Sequence, residues 1–217
     1  MSRTTRSAAK KFTRLQAQIT PSIPPLTSSS ELETRLFSTP LEWESYLSTN
    51  HASNTNGLWL KIAKKNSAIP SVTYDQALDV ALCYGWIDGQ RKTFDAEHFI
   101  QRFTPRRKGS LWSQRNVTKV SALQSAGKIK PSGQAEIDAA MEDGRWERAY
   151  SGSSNAVVPK DFEDALKENE AAEEFFKGLN KTKKYSFLWR LETAKRPETR
   201  RKRIEQFVEL LASGKTL

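Results

Sequence analysis

Cysteine occurs once in this chain of 217 residues, at Cys83, and histidine only twice, at His51 and His98. A lone thiol forms no internal disulfide, which favours a reducing compartment. No Cys/His spacing matches a zinc site, so no metal is expected. The glycine-rich loops that hold nucleotide phosphates or dinucleotides are missing too, so no cofactor is expected. No apolar run approaches the roughly 20 residues that cross a bilayer, and none near the start is long enough for a secretory signal. These absences predict a soluble intracellular protein without a membrane span.

Acidic side chains are missing from residues 1–30, which carry Arg3, Arg6, Lys10, Lys11 and Arg14. Half of the net charge of +10 therefore lies in this one stretch. Its Ser, Thr and Pro content reads as a disordered basic tail. Ala8, Phe12, Leu15 and Ile19 also recur at helical spacing among the basic residues, the pattern of an organelle-targeting segment. Both readings stay open.

What is present suffices for a fold. Hydrophobic residues make up 37% of the chain and aromatics 10%, with six tryptophans. The length suits one domain of ordinary size. Residues 31–150 read as its core and residues 151–217 as a helical C-terminal segment, divided by the linker-like SGSSNAVVP.

Within the core, Trp43, Tyr46 and Leu47 share a helical face. Leu58, Leu60 and Ile62 alternate as a strand. Thr73 with Gln76 forms a capping box at the start of a helix whose buried stripe is Ala77, Leu78, Ala81 and Leu82. Gly85 ends that helix. WIDGQRK and HFIQRFT read as a hairpin; Phe99, Gln101 and Phe103 share one face of its second strand, Ile100 and Arg102 the other. Ser110 is read as the cap of a helix that ends at Gly127, and a short helix is expected from about Gly133 to Asp143. The expected fold class is α+β, a small antiparallel sheet packed by helices, with a helical C-terminal segment.

Beyond residue 159 the charge splits. Lys160 to Glu174 holds seven acids and two lysines; Lys181 to Arg203 holds ten basic residues and two acids. Pro197 takes an N1 position, and Ile204, Phe207, Val208 and Leu211 form the stripe of the last helix.

The densest chemistry lies between Trp86 and Asn116. PRRKGS leads into a helix, whose first turn offers unpaired N–H groups and a partial positive charge to an anion. Arginine suits bidentate recognition of phosphate or carboxylate. Trp86 and Trp112 supply flat apolar walls, although tryptophans at such positions are more often core. The expected ligand groove is Trp86, Asp88, Arg91, Arg106, Arg107, Lys108, Ser110, Trp112 and Asn116. The plainer readings are that Asp88–Gly89 is a turn, Ser110 a cap and Arg106–Lys108 a solvated face.

ALCYGWIDGQ, RFTPRRKGSLWSQRNV and LQSAGKIKPSGQAEI, taken in order over residues 57–140, resemble the signature of the bacteriocin-protection (YdeI/OmpD-associated, OmdA-like) family. YSFLWRLETAKRPETRRKRIEQFVELLASGK resembles its terminal helices. The resemblance implies much about fold and little about chemistry. The family has no established catalytic mechanism and is linked to protection against antimicrobial peptides and to an outer-membrane porin, so a binding protein is the expected reading. The groove is strengthened because its residues fall inside the signature. The partner is then an unidentified anionic ligand or a protein.

Two alternatives accompany this reading. Arg200, Arg201, Lys202 and Arg203, with the basic tail, would bind nucleic acid without sequence preference. An enzyme would need Asp88 and His98 to meet across the hairpin, with Ser110 or Ser113 as nucleophile. Cys83 reads as a buried filler.

Overall fold

The computed structural model describes Met1 and residues 32–217. The basic tail and the alternative targeting segment of residues 1–30 lie outside the described residues.

The chain begins with a short strand β1 (Thr34–Leu36), helix α1 (Pro40–Asn50) and strand β2 (Leu58–Ala63). Helix α2 (Tyr74–Cys83) leads into the hairpin β3 (Trp86–Thr93) and β4 (His98–Pro105), followed by α3 (Gln114–Ser125) and α4 (Pro131–Glu142). Four more helices complete it: α5 (Lys160–Lys167), α6 (Glu170–Gly178), α7 (Lys181–Glu192) and α8 (Pro197–Ala212). The class is α+β.

The four strands lie in the order β1-β2-β4-β3. β2, β4 and β3 are antiparallel, but β1 runs parallel to β2 at the edge. The sheet is therefore mixed rather than purely antiparallel. Only three residues make β1, all exposed, so alternation gave no strand signal there.

Local chemistry explains the helix ends. Thr73 accepts from the Gln76 amide while the Gln76 side chain accepts from Thr73, closing the capping box expected from sequence. Gly85 follows α2 at φ +75°, donating to Leu82 O. The start of α3 differs from expectation. Its cap is Ser113, whose hydroxyl accepts from the Asn116 amide, not Ser110. The reason is a strand-like bridge. Tyr150 N donates to Trp112 O and Gln114 N to Tyr150 O, holding Ser113 extended. α4 begins at Pro131, two residues before the expected start.

Two hydrophobic clusters result. The first joins Leu58, Leu60, Ile62 and Phe103 of the sheet to Trp43, Leu47, Leu78, Val120 and Ile137 from α1 to α4. The second is built by α5 to α8 around Phe162, Phe176, Phe187 and Phe207, whose rings meet edge to face. The clusters meet through polar contacts. Ser151 donates to Glu192 through its amide and hydroxyl, the Tyr185 hydroxyl donates to Ser151 O, and Trp189 stands edge-on to Tyr150. No described helix is long and apolar enough to cross a membrane.

Candidate anion-binding site

The structure gathers the expected groove residues into two groups. Arg106 anchors the first. It leaves the end of β4 with its amide donating to Gly85 O, and its side chain is buried at 7% exposure. The guanidinium carbon lies 3.5 Å from the Trp112 ring centroid, while Nη1 donates to Ser110 Oγ and Leu111 O. Nε and Nη2 have no partner among the described residues. Burial pushes this guanidinium down to about 10; Glu136 pulls it back up most strongly among its charged neighbours. Arg145, equally buried, holds the Ser110 carbonyl through Nη1 and is neutralised by Asp143. Asn116 is buried in the first turn of α3, whereas Arg107 and Lys108 are exposed in the preceding turn.

The second group sits on the sheet at α2. Asp88 accepts from the Tyr74 hydroxyl at 2.7 Å. Arg91 lies over the rings of Tyr74 and Phe99, and its Nε donates to Gln101. Gln101 in turn donates to the carbonyls of Gly89 and Gln90, stitching a bulge between Asp88 and Arg91. Burial, then the Asp88 bond, pushes the Tyr74 phenol up to about 12.

The tryptophans do not form ligand walls. Trp86 and Trp112 are 1% and 2% exposed. Trp86 packs on Trp43 and donates to His51 O; Trp112 carries Arg106 over its ring and meets Trp146 edge-on. In both cases apolar burial outweighed any surface role.

Open space lies beside Arg106. A cavity of about 330 Å³ is lined by His51, Thr55, Asn56, Arg102, Thr104, Arg106 and Arg107, with Ala52 and Pro105. Among the described residues, no carboxylate lines it. Arg102 Nη2 donates to Asn56 O, but its buried Nε has no partner among the described residues. His51 caps α1 and donates through Nδ1 to Leu47 O if that nitrogen carries the proton. Gly57, next to the lining residue Asn56, holds the loop against β4. At φ +74°, it lies so close to β4 that a β-carbon would stand 2.2 Å from Phe103 O.

Sequence reasoning missed His51, Thr55, Asn56, Arg102 and Thr104. One signal was available for Arg102, whose alternation opposite Gln101 placed it off the core face. The loop residues reach the site through tertiary packing alone.

The other two arrangements fare differently. His98 does not meet Asp88. It bonds Asp95 at 2.9 Å and pairs with Ala63, while Asp88 pairs with Phe103, five positions away along β4. Strand rise alone separates them by roughly 16 Å, so the Asp88/His98 enzyme set does not assemble. Of the basic run in α8, Arg200 grips Asp161 with two bonds and donates to Leu191 O, and Arg203 donates to Arg190 O. Only Arg201 and Lys202 stand exposed. Cys83 is buried, as expected.

No curated protein and no solved structure matches this chain. Residues 35–136, which include the whole cavity, match a domain of unknown function. The family signature expected over residues 57–140 thus falls in a separately described domain, and the family match lies further along. Residues 155–214 match the family described as Bacteriocin-protection, YdeI or OmpD-Associated. The chain therefore carries a C-terminal segment of the YdeI/OmpD-associated family behind the domain that holds the cavity.

Proposed function

We propose that this is a binding protein for a small anionic molecule bearing phosphate or carboxylate, held in the cavity between the His51–Asn56 loop and the end of β4. One observation carries the reading: three arginines line a single cavity that no carboxylate of the described residues lines. Arg102 and Arg106 keep three buried nitrogens without partners. The charge and forked donors of these arginines match an oxyanion geometrically. The site keeps Arg106 and Arg107 of the sequence-derived groove and replaces its tryptophan walls with Arg102, Thr104, His51 and Asn56. The family description of the C-terminal segment suggests that such binding serves protection against antimicrobial peptides.

The test is a thermal-shift series with inorganic phosphate, phosphorylated metabolites and dicarboxylates. A ligand at 100 times its dissociation constant stabilises the fold by about 2.7 kcal/mol. The Arg102→Ala/Arg107→Ala double variant is expected to lose the shift while keeping its unliganded midpoint near wild type. An undiminished shift in that variant refutes the site.

A further inference from the structure

The sheet has a second face. Leu58, Leu60 and Ile62 turn to the first hydrophobic cluster, so Trp59 and Lys61 turn away from it. On β4 the same alternation sets Ile100, Arg102 and Thr104 opposite Gln101 and Phe103, and register brings Lys92 of β3 beside Ile100. Leu36 and Phe94 flank this face at 38% and 50% exposure. The helices α1 to α4 supply their buried side chains to the cluster on the opposite side.

The composition of this second face is specific. Lys92 Nζ lies 4.8 Å from the Trp59 ring centroid and Lys61 Nζ 4.5 Å from that of Phe94. The carboxylate beside them, Asp95, is already engaged by Lys61 and His98. Arg102 carries the positive charge on towards the cavity. Two aromatic rings, each with a lysine on it, alternate with basic side chains along one sheet surface.

We infer that this face binds single-stranded nucleic acid, with bases stacking on Trp59 and Phe94 and phosphates meeting Lys61, Lys92 and Arg102. Charge selects a polyanion, and the rings select one with flat faces, which an acidic peptide lacks and a duplex hides. The lysines resting on the rings do not block entry. An exposed cation–π contact contributes about two- to fivefold, whereas a stacked base contributes about five- to 150-fold. A base displaces the ammonium, which is then free to pair with the adjacent phosphate. This surface goes beyond the anion cavity. It shares Arg102 with it, but Trp59, Phe94 and Lys92 do not line the cavity.

The test uses the full chain and the fluorescence anisotropy of a short labelled oligothymidylate at low salt. Trp59→Leu is expected to weaken binding by about tenfold or more, while Trp59→Phe, which keeps a stacking ring, stays within about threefold of wild type. Lys92→Glu, at an exposed position that does not threaten the fold, is expected to weaken binding and flatten its salt dependence. Wild-type affinity in both Trp59→Leu and Lys92→Glu overturns the inference. So does competition by duplex DNA or polyglutamate that equals that of the unlabelled single strand, and so does the absence of binding by the wild-type chain.

Discussion

The Arg106 guanidinium lies against the Trp112 ring, 3.5 Å from its centroid, with both side chains buried and two guanidinium nitrogens unpartnered. The stack holds a charge in the interior without a counter-ion bonded to it, an arrangement that costs stability. Arg106→Met keeps the apolar contact and removes the charge. Its urea midpoint is expected to equal or exceed wild type, by up to about 2 kcal/mol, while its response to the anionic ligand disappears. Arg106→Lys keeps the charge but loses the planar stack and the paired donors, and is expected to cost about 1–3 kcal/mol. If the methionine variant proves less stable than the lysine variant, the charge is itself holding the fold.

Two glycines with nearly the same backbone angle are expected to respond differently to alanine. Gly57 and Gly109 have φ of +74° and +75°. A β-carbon at Gly57 would meet Phe103 O at 2.2 Å and Thr104 Cγ2 at 2.6 Å, whereas at Gly109 nothing lies within 4 Å. Gly109→Ala therefore costs only the left-handed strain, about 1–2 kcal/mol. Gly57→Ala adds a clash that must push the loop off β4, and it is expected to cost at least about 3 kcal/mol and to weaken anion binding. Equal denaturation midpoints for the two variants contradict this.

Alkaline pH offers a third check. Burial and the Asp88 bond raise the Tyr74 phenol to about 12 in the folded state, against about 10 in an unfolded chain. The folded state thus holds this proton more tightly. Its stabilising contribution is complete below pH 10 and is lost as pH rises towards 12. Tyr74→Phe cannot lose it, so the stability of this variant is expected to fall less steeply with pH across that window. Parallel profiles for the two proteins rule out the assignment.

Cys83 gives a chemical readout of the same core. Burial raises its thiol to about 11, and the side chain is 6% exposed. Thiolate is the reactive form, so a disulfide reagent at pH 8 is expected to leave the native protein unlabelled and to modify it at once in denaturant. Rapid labelling without denaturant means that the C-terminal end of α2 opens.

These contrasts mark where sequence was informative. The core faces of α1, α2, β2 and β4 follow from periods of 3.6 and 2, and Thr73 with Gln76 marks a helix start through a purely local bond. Ser110 and Ser113 illustrate the limit. Both precede a helical stretch, and the choice is made by Tyr150, some 37 residues beyond Ser113, whose backbone bonds keep that residue outside the helix. The site shows the same division. Arg106 and Arg107 stand out in a basic, glycine-containing run, yet His51 and Asn56 join them only because Gly57 lets their loop lie on β4. Trp86 and Trp112 mislead because a tryptophan beside charge looks the same in sequence whether it is lining a cleft or buried beneath an arginine.

The separation of the two hydrophobic clusters also determines what a spectroscopist sees. Trp43, Trp59, Trp86, Trp112 and Trp146 all belong to the half that contains the sheet, and Trp189 alone belongs to the other. The second cluster is made of phenylalanines and aliphatic side chains, which give almost no signal beside an indole. Indole emission therefore watches the cavity-bearing half, whereas backbone dichroism follows α5 to α8 as well. A melt followed by emission would register the loss of the family-matched helices through Trp189 alone, one indole of six, and would otherwise report the cavity-bearing half.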